Sequence, residues 1–510
     1  MRSARHGTRW RLVIPILAVA LPLACMTWRA PRTAPQDLLA RRPGTAMRVT
    51  TAEGQRFELK QAAIVNDSLV DLAGPDPRLR TGIPLDRVAK VEVRTVDAVT
   101  TTGLVVGIGA TIALVAAANS SGGSWNLGGS GADGFQLGSC PMVYSWDGRE
   151  WRLDSGTFSG AIAPPLTRTD VDNLEYARPD RGVLRLRIAT EQGETDHVDR
   201  LVVLAVAHNP AVTVAPDPAG RIHTLGQLAS PLSATDDRGR DARAALAARD
   251  GWHWESALSG RDPANPADIR DGLVLTFSRP ADARSANLVL DATNSPWAAH
   301  LRREFLEAHG TATNAWYDSL AADPDRARAA FGLIDGEALL SVAVWTTRGW
   351  RPQTHVLEAG PEVVKRHVVP LALGDIPGGP LRVRLESAPA FWLVDFAAID
   401  YAAPSSITVD TLRVQRATDQ NGRDVTARLQ AADGAHLTLD QGEYADLEIP
   451  TAPPAAGHTV SYLVATTGWY RVHTRTTGEP QAALLAALGR TPYSVSRLAT
   501  ARLAAVLGER

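Results

Sequence analysis

The segment from Ala98 to Ala132 carries no charged side chain and divides the chain into a short N-terminal part and a long, strand-patterned remainder. Its first part, Ala98 to Ala118, would reach about 31 Å as an α-helix, enough for a bilayer core of about 30 Å. Charge placement argues against a simple crossing. Arg87, Lys90 and Arg94 precede the segment and no Lys or Arg follows until Arg149, the reverse of the positive-inside bias if the N-terminal unit lies outside the cytoplasm. Leu104, Val105, Ile108, Ile112 and Val115 share one helical arc, with Gly103, Gly107, Ala110 and Ala117 largely opposite, a spacing that permits close packing. A spanning helix, a helix lying on a membrane or partner, and a helix buried in protein all fit residues 98–119. Charge and the small-residue face favour the last two. Residues 120–139 read as a Gly/Ser linker. Gly129 to Gly134 spells G-x-G-x-x-G, but no strand pattern precedes it and no helix pattern follows, so it carries no nucleotide-binding expectation.

The N-terminus has the layout of a signal peptide: Arg2, Arg5, Arg9 and Arg11, then an apolar run from Leu12 to Ala24 ending Leu-Pro-Leu-Ala-Cys25. It resembles a bacterial lipoprotein signal over residues 1–25, which implies lipidation of Cys25 and an extracytoplasmic, membrane-anchored place in the cell envelope, periplasm or outer membrane. Pro22 departs from that pattern, standing where an aliphatic residue is usual. Residues 26–44, with Pro31, Pro35 and Pro43, read as an extended tether. The membrane partner would be met through the lipid and through residues 98–119.

A net charge of −2 with no basic block excludes a nucleic-acid footprint. Two cysteines, Cys25 and Cys140, allow at most one disulfide and no Cys-based metal cluster. The 510 residues imply about three domains. With 45% hydrophobic and 21% charged residues, the chain can bury substantial cores.

Short alternating runs dominate what remains, so the expected fold class is mainly β and multidomain. Residues 45–97 read as a small SH3-like or Sm-like barrel. Residues 140–235 read as a β-sandwich module that opens on a hairpin whose Asp147-Gly148 suits a type I′ turn. Residues 236–403 read as a domain resembling a galactose-binding-like jelly roll, with a helical insertion at 296–331 whose apolar stripe should cap the sheet. A small β domain at 404–475 and a helical tail at 476–510 complete the chain.

The run Cys140-Pro-Met-Val-Tyr-Ser-Trp-Asp-Gly148, with Leu184-Arg-Leu-Arg-Ile188, Glu191, Glu194 to Asp199 and Leu201 to His208, resembles a β-rich module of secreted bacterial FG-GAP/ASPIC-UnbV or tetratricopeptide repeat proteins and of uncharacterised envelope lipoproteins. The resemblance covers about residues 140–235 and implies no activity. Neither repeat periodicity is present in this chain.

H-E-x-x-H, Walker A and G-x-S-x-G patterns are absent; Gly156-Thr-Phe-Ser-Gly160 has the wrong spacing, so Ser159 is not read as a nucleophile. The densest ligand-like group is Glu191, Glu194, Asp196, His197 and Asp199, whose oxygens would suit Ca²⁺ if they converged. Alternation along a strand would instead send them to opposite faces, and no cofactor is otherwise expected. Trp252, Trp254, Trp350 and Trp392 could stack on sugar rings if exposed, although tryptophans more often pack in cores. The expectation is a non-enzymatic envelope scaffold or protein-interaction module. A glycan-binding protein comes second and a metal-dependent hydrolase last.

Overall fold

A computed structural model of the chain describes residues 26–29, 39, 47–51, 56–59, 62–65, 68–71, 82–96, 140–474, 476–488 and 491–507. Cys25 and the segments 98–119 and 120–139 lie outside the described residues, so neither the lipidation site nor the apolar helix is placed. Strand content of 44% against 18% helix makes the protein mainly β, as the alternating runs imply. Among the described residues no helix is long and apolar enough to cross a membrane.

The chain divides into two compact units. In the first, β1 (Met26–Arg29), β2 (Met47–Thr51), β3 (Arg56–Leu59) and β7 (Val88–Val96) form a sheet in the order β1-β7-β2-β3; β4 (Ala62–Val65), β5 (Ser68–Asp71) and β6 (Ile83–Pro84) form another. Met47, Val49, Leu59, Ala62, Leu69 and Ile83 fill the core between them. Residues 26–29 are not extended tether: they pair with β7 from Met26↔Val96 to Arg29↔Val93. The prolines that suggested a tether all lie beyond them in sequence, so they leave this strand's amide donors intact.

The second unit opens with β8 (Met142–Trp146), β9 (Trp151–Gly156), β10 (Arg168–Leu174), β11 (Val183–Ala189) and β12 (Glu194–His208), then the hairpin β13 (Thr213–Pro216) and β14 (Ile222–Leu225). Next come β15 (Leu228–Ala229), β16 (Ser233–Asp236), β17 (Asp271–Phe277) and β18 (Ser285–Asn294). Three helices follow: α1 (Pro296–Glu307), α2 (Thr313–Ala322) and α3 (Pro324–Ala338). The chain continues through β19 (Leu340–Thr346), β20 (Gly349–Val356), β21 (Lys365–Ala372), β22 (Leu381–Ser387) and β23 (Trp392–Asp400). It ends with β24 (Thr408–Arg413), β25 (Arg416–Asp419), β26 (Leu437–Asp440), β27 (Tyr444–Pro450), β28 (Thr459–Val472), α4 (Ala482–Leu488) and α5 (Ser494–Leu507).

These strands build two sandwiches of antiparallel sheets. One pairs the sheet β25-β27-β11-β8-β9 with β10-β28-β12-β24, to which β26 adds along β12; the other pairs β16-β17-β22-β19-β20 with β15-β23-β18-β21. Alternation explains the burial directly. In β17, Asp271, Leu273, Leu275 and Phe277 point inward while Gly272, Val274 and Thr276 do not. Leu184, Leu186, Ile188, Val198, Leu447 and Tyr470 sit in the first core; Leu273, Phe277, Leu288, Val383, Trp392 and Ile399 sit in the second.

Strand pairing crosses the boundaries that sequence spacing suggests. β28 does not belong to a separate small domain at 404–475: it lies along β12 from Glu194↔Val472 to His208↔Thr459, and β27 lies along β11. Residues 228–400, which hold the second sandwich, are therefore inserted into the first. The hairpin at 142–156 is present, but its loop is the four residues Asp147 to Glu150, closed by Trp146 opposite Trp151. Asp147 Oδ1 accepts hydrogen bonds from the amides of Arg149 and Glu150, so the Asp-Gly pair builds an Asx-type loop in place of a two-residue type I′ turn.

The helical insertion begins as its chemistry dictates. Ser295 caps α1 by accepting from the Ala298 amide, with Pro296 in the first turn, and Asp323 caps α3 ahead of Pro324. α3 runs on to Ala338, beyond the expected end at 331. The insertion caps more than one sheet, because Leu301 joins the second core while Leu306, Tyr317, Leu320 and Phe331 join the first.

Gly468 marks a close approach in the first sandwich. A Cβ there would lie 2.5 Å from the His197 carbonyl oxygen and 2.8 Å from the ring of Phe158, which is fully buried and held at a positive φ. Gly468→Ala should therefore destabilise the protein by about 1–3 kcal/mol through overpacking. A urea midpoint equal to that of the native sequence would contradict this.

Candidate functional site

The five residues of the acidic group go to separate places. Glu194 and Asp196 are fully buried on one face of β12, where the Thr190 hydroxyl donates to Asp196. His197 faces the other way and stacks on Trp469, with ring centroids 3.9 Å apart. Asp199 occupies the bulge in β12 and accepts from the amides of Asp433 and Gly434. Glu191 accepts from the Tyr144 hydroxyl. Among the described residues no three His, Cys, Asp or Glu side chains converge on a metal position. Strand alternation and the bulge account for the dispersal.

The tryptophans divide similarly. Trp392 is 1% exposed and its indole donates to the Ala338 carbonyl; Trp254 is 6% exposed in the same core. Trp252 is exposed. Trp350 is half-buried on the outer face of its sheet, edge-to-face with Trp345 at 5.3 Å, with the Arg382 and Arg384 guanidinium groups 5.4 and 5.1 Å from its ring. Only Trp350 and Trp252 keep a surface that a ligand could meet.

The first sandwich carries a matching surface that the sequence reading missed. Trp146 and Trp151 meet edge-to-face at 5.5 Å, and Arg187 lies 4.7 Å from Trp151 and 4.1 Å from Tyr444. Its guanidinium also makes a two-pronged bond to Asp446. Each sandwich thus presents two tryptophans and an arginine on the outer face of its five-stranded sheet. Cation–π contacts of this kind contribute about 0.5–1 kcal/mol at exposed sites and leave ring edges open.

Between the sandwiches lies a seam of charge. Lys365 of β21 donates to Asp172 of β10 at 2.8 Å, both side chains largely buried, and the Ser155 hydroxyl donates to the same carboxylate oxygen. Arg168 pairs with Asp170, and Arg302 of α1 pairs with Glu358. Such pairs are costly to break, since the surviving partner would be a buried unpaired charge. Lys365 is one of only three lysines in the chain, a scarcity that could have singled it out. Beside the seam, a cavity of about 90 Å³ is lined by Leu301, Phe305, Phe331, Phe391 and Leu498, with Ser159 and the Arg302–Glu358 pair at its polar side.

Two groups here invite a chemical reading. Cys140 is fully buried and unbridged, and burial pushes its thiol up, so it stays a neutral thiol and a poor nucleophile. Glu362 has both carboxylate oxygens buried with no hydrogen bond from another residue, and burial, with the charge of Glu191 adding to it, pushes its carboxyl up to about 7. The hydroxyl–carboxylate bond of Ser155 to Asp172 uses a carboxylate oxygen already paired with Lys365.

Compared with known proteins, the chain matches no protein-family model and no curated protein.

The native state holds the Glu362 proton more tightly than the unfolded chain, whose glutamates titrate near about 4.3. Its contribution to stability is therefore present below that pH and lost as pH rises through about 7. Glu362→Gln should raise the thermal midpoint at pH 8 and leave it unchanged at pH 4. A midpoint lowered at pH 8 would show that the carboxylate is satisfied after all.

Proposed function

We propose that the protein is a non-enzymatic cell-envelope lipoprotein that serves as a scaffold or protein-interaction module. The observation that carries this reading is the pair of matching Trp–Trp–Arg faces on two sandwiches tied together by the buried Lys365–Asp172 pair. Aromatic and arginine side chains are the residues that dominate protein contact energies, and two such faces held on one body suit a scaffold. Lipidation at Cys25 would anchor it. Because β1 begins at Met26, the lipid would hold the small β unit directly at the membrane surface, with no spacer between them.

A second reading, glycan binding, draws on the same surface: Trp350, flanked by Arg382 and Arg384, offers a ring face and cationic groups to an acidic sugar. A metal-dependent hydrolase draws no support from the dispersed acidic residues.

Cell fractionation tests the anchor: Cys25→Ser should move the protein from the membrane to the soluble extracytoplasmic fraction. Cross-linking in intact envelopes tests the faces. Trp151→Ala and Trp350→Ala should each lose a protein adduct that the native chain forms. Unchanged adducts in both variants would remove the faces from the interaction, and binding of acidic glycans abolished by Trp350→Ala would favour the second reading.

A further inference from the structure

The two sandwiches have one topology. Replacing β8, β9, β10, β11 and β12 by β19, β20, β21, β22 and β23, and β24, β25, β27 and β28 by β15, β16, β17 and β18, converts each sheet order of the first sandwich into that of the second. The match extends to single residues. Val143/Tyr144 and Val342/Ala343 carry the same bulge in the opening hairpin, which closes on Trp146↔Trp151 and on Trp345↔Trp350. Leu184-Arg-Leu-Arg-Ile188 answers Leu381-Arg-Val-Arg-Leu385. The bulges that set Asp199 and Asp395 out of register coincide, flanked by Val198 and Arg200 in one copy and Val394 and Phe396 in the other.

The second halves agree as closely. Ala234-Thr-Asp-Asp-Arg-Gly-Arg-Asp241 answers Ala417-Thr-Asp-Gln-Asn-Gly-Arg-Asp424, and each closes with a bridge, Thr235↔Asp241 or Thr418↔Asp424. Leu246 and Leu429 are both fully buried. Arg200↔Gln430 is matched by Phe396↔Ala247, and Val198↔Leu437 by Val394↔Trp254. The turn by itself would prove little, because Asp217 to Arg221 builds a similar one. The matched pairings across different strands are what carry the correspondence.

In chain order the copies are tandem: β8 to β18 is one and β19 to β28 is the other. Yet neither copy folds on itself. The first half of copy one pairs with the second half of copy two, β11 with β27 and β12 with β28; the first half of copy two pairs with the second half of copy one, β22 with β17 and β23 with β18. We infer that residues 142–472 are a fused pair of one β module whose copies have exchanged second halves, so that the partner each half-sandwich recognises is the complementary half of another copy.

The two connections that carry the exchange run side by side, which is the geometry of a swap hinge. Asp400, 1% exposed, accepts from the Gly226 amide of one connection through Oδ2 and from the Ala402 amide of the other through Oδ1. Ser405 of the second donates its amide to Thr224 of the first. A Cβ on Gly226 would stand 3.0 Å from that of Ala402, so the crossing is close enough to favour glycine there. This inference rests on strand pairing and is independent of the scaffold reading.

Disulfide trapping in the full chain tests it. Arg185 faces Glu448 and Arg382 faces Thr276 on the outer faces of the sheets; in the unexchanged arrangement Arg185 would face Thr276 and Arg382 would face Glu448. A protease site inserted between Ala322 and Asp323, at an exposed helix corner, separates the copies covalently. In a Cys25→Ser chain, R185C/E448C and T276C/R382C should form disulfides that hold both fragments in one band on a non-reducing denaturing gel after cleavage. R185C/T276C and R382C/E448C should leave two bands without an internal bridge. The reverse pattern overturns the exchange, and so does failure of the first two pairs to oxidise in a chain whose circular dichroism matches the native protein. Cleaved, uncross-linked protein should keep its native mass in solution and part only in denaturant; separation into two folded fragments also overturns the inference.

Discussion

The pairing of β12 with β28 is the contact on which the second unit depends. Among the described residues it is the longest strand pair, joining residues far apart in sequence, and a sheet stands or falls with the register of its central strands. On it rest Gly468 beneath the Phe158 ring, the bulge that turns Asp199 toward the 433–434 amides, and the inward set of Val198, Leu201 and Val203. Slipping the register by one residue would send all of these to the wrong face. The buried pair Lys365–Asp172 then joins this sandwich to its neighbour, and Arg302–Glu358 joins α1 to that neighbour. Their directional geometry selects one mutual arrangement in a way that apolar contact alone does not.

Much of this was legible locally. Alternation in Leu381-Arg-Val-Arg-Leu385 and in Gly182 to Ala189 identifies strands and their buried faces, because period two is a property of a few consecutive residues. The helical insertion was legible from its apolar spacing. Turn chemistry was partly misleading: Asp147-Gly148 does supply a positive φ at Gly148, but the loop that uses it has four residues. The dispersal of Glu191, Glu194, Asp196, His197 and Asp199 was also foreseeable, since neighbours on a strand face opposite sides.

What local patterns do not contain is which strand meets which. Leu447 and Leu275 look alike as strand residues, yet one pairs with Leu186 and the other with Val383. The repeat itself is written in the sequence, in the two Ala-Thr-Asp-x-x-Gly-Arg-Asp stretches and the two Val-x-x-Trp hairpins. It is obscured because helices α1 to α3 separate the copies and the hairpin β13–β14 interrupts the first of them. The matched Trp–Trp–Arg faces were hidden for the same reason: Trp350 was visible as a tryptophan, whereas its equivalence to Trp151 depends on aligned strands.

Exchange of halves also constrains the order in which the chain can fold. The second sandwich is complete once Asp400 is reached, because all of its strands lie between Leu228 and Asp400. The first sandwich is not: β8 to β12 must wait, with the apolar faces of Val198, Leu201 and Val203 uncovered, until β24 to β28 are made. Loop-closure entropy for so long a separation disfavours early pairing. Chain connectivity therefore favours assembly of the second sandwich and its capping helices first. They supply a preformed wall, Lys365 included, against which β10 docks through Asp172 before β28 closes the sheet between β10 and β12. On this route the exposed strands of the first half are vulnerable to pairing with the second half of another chain, until the two connections meet where Asp400 accepts from the Gly226 and Ala402 amides.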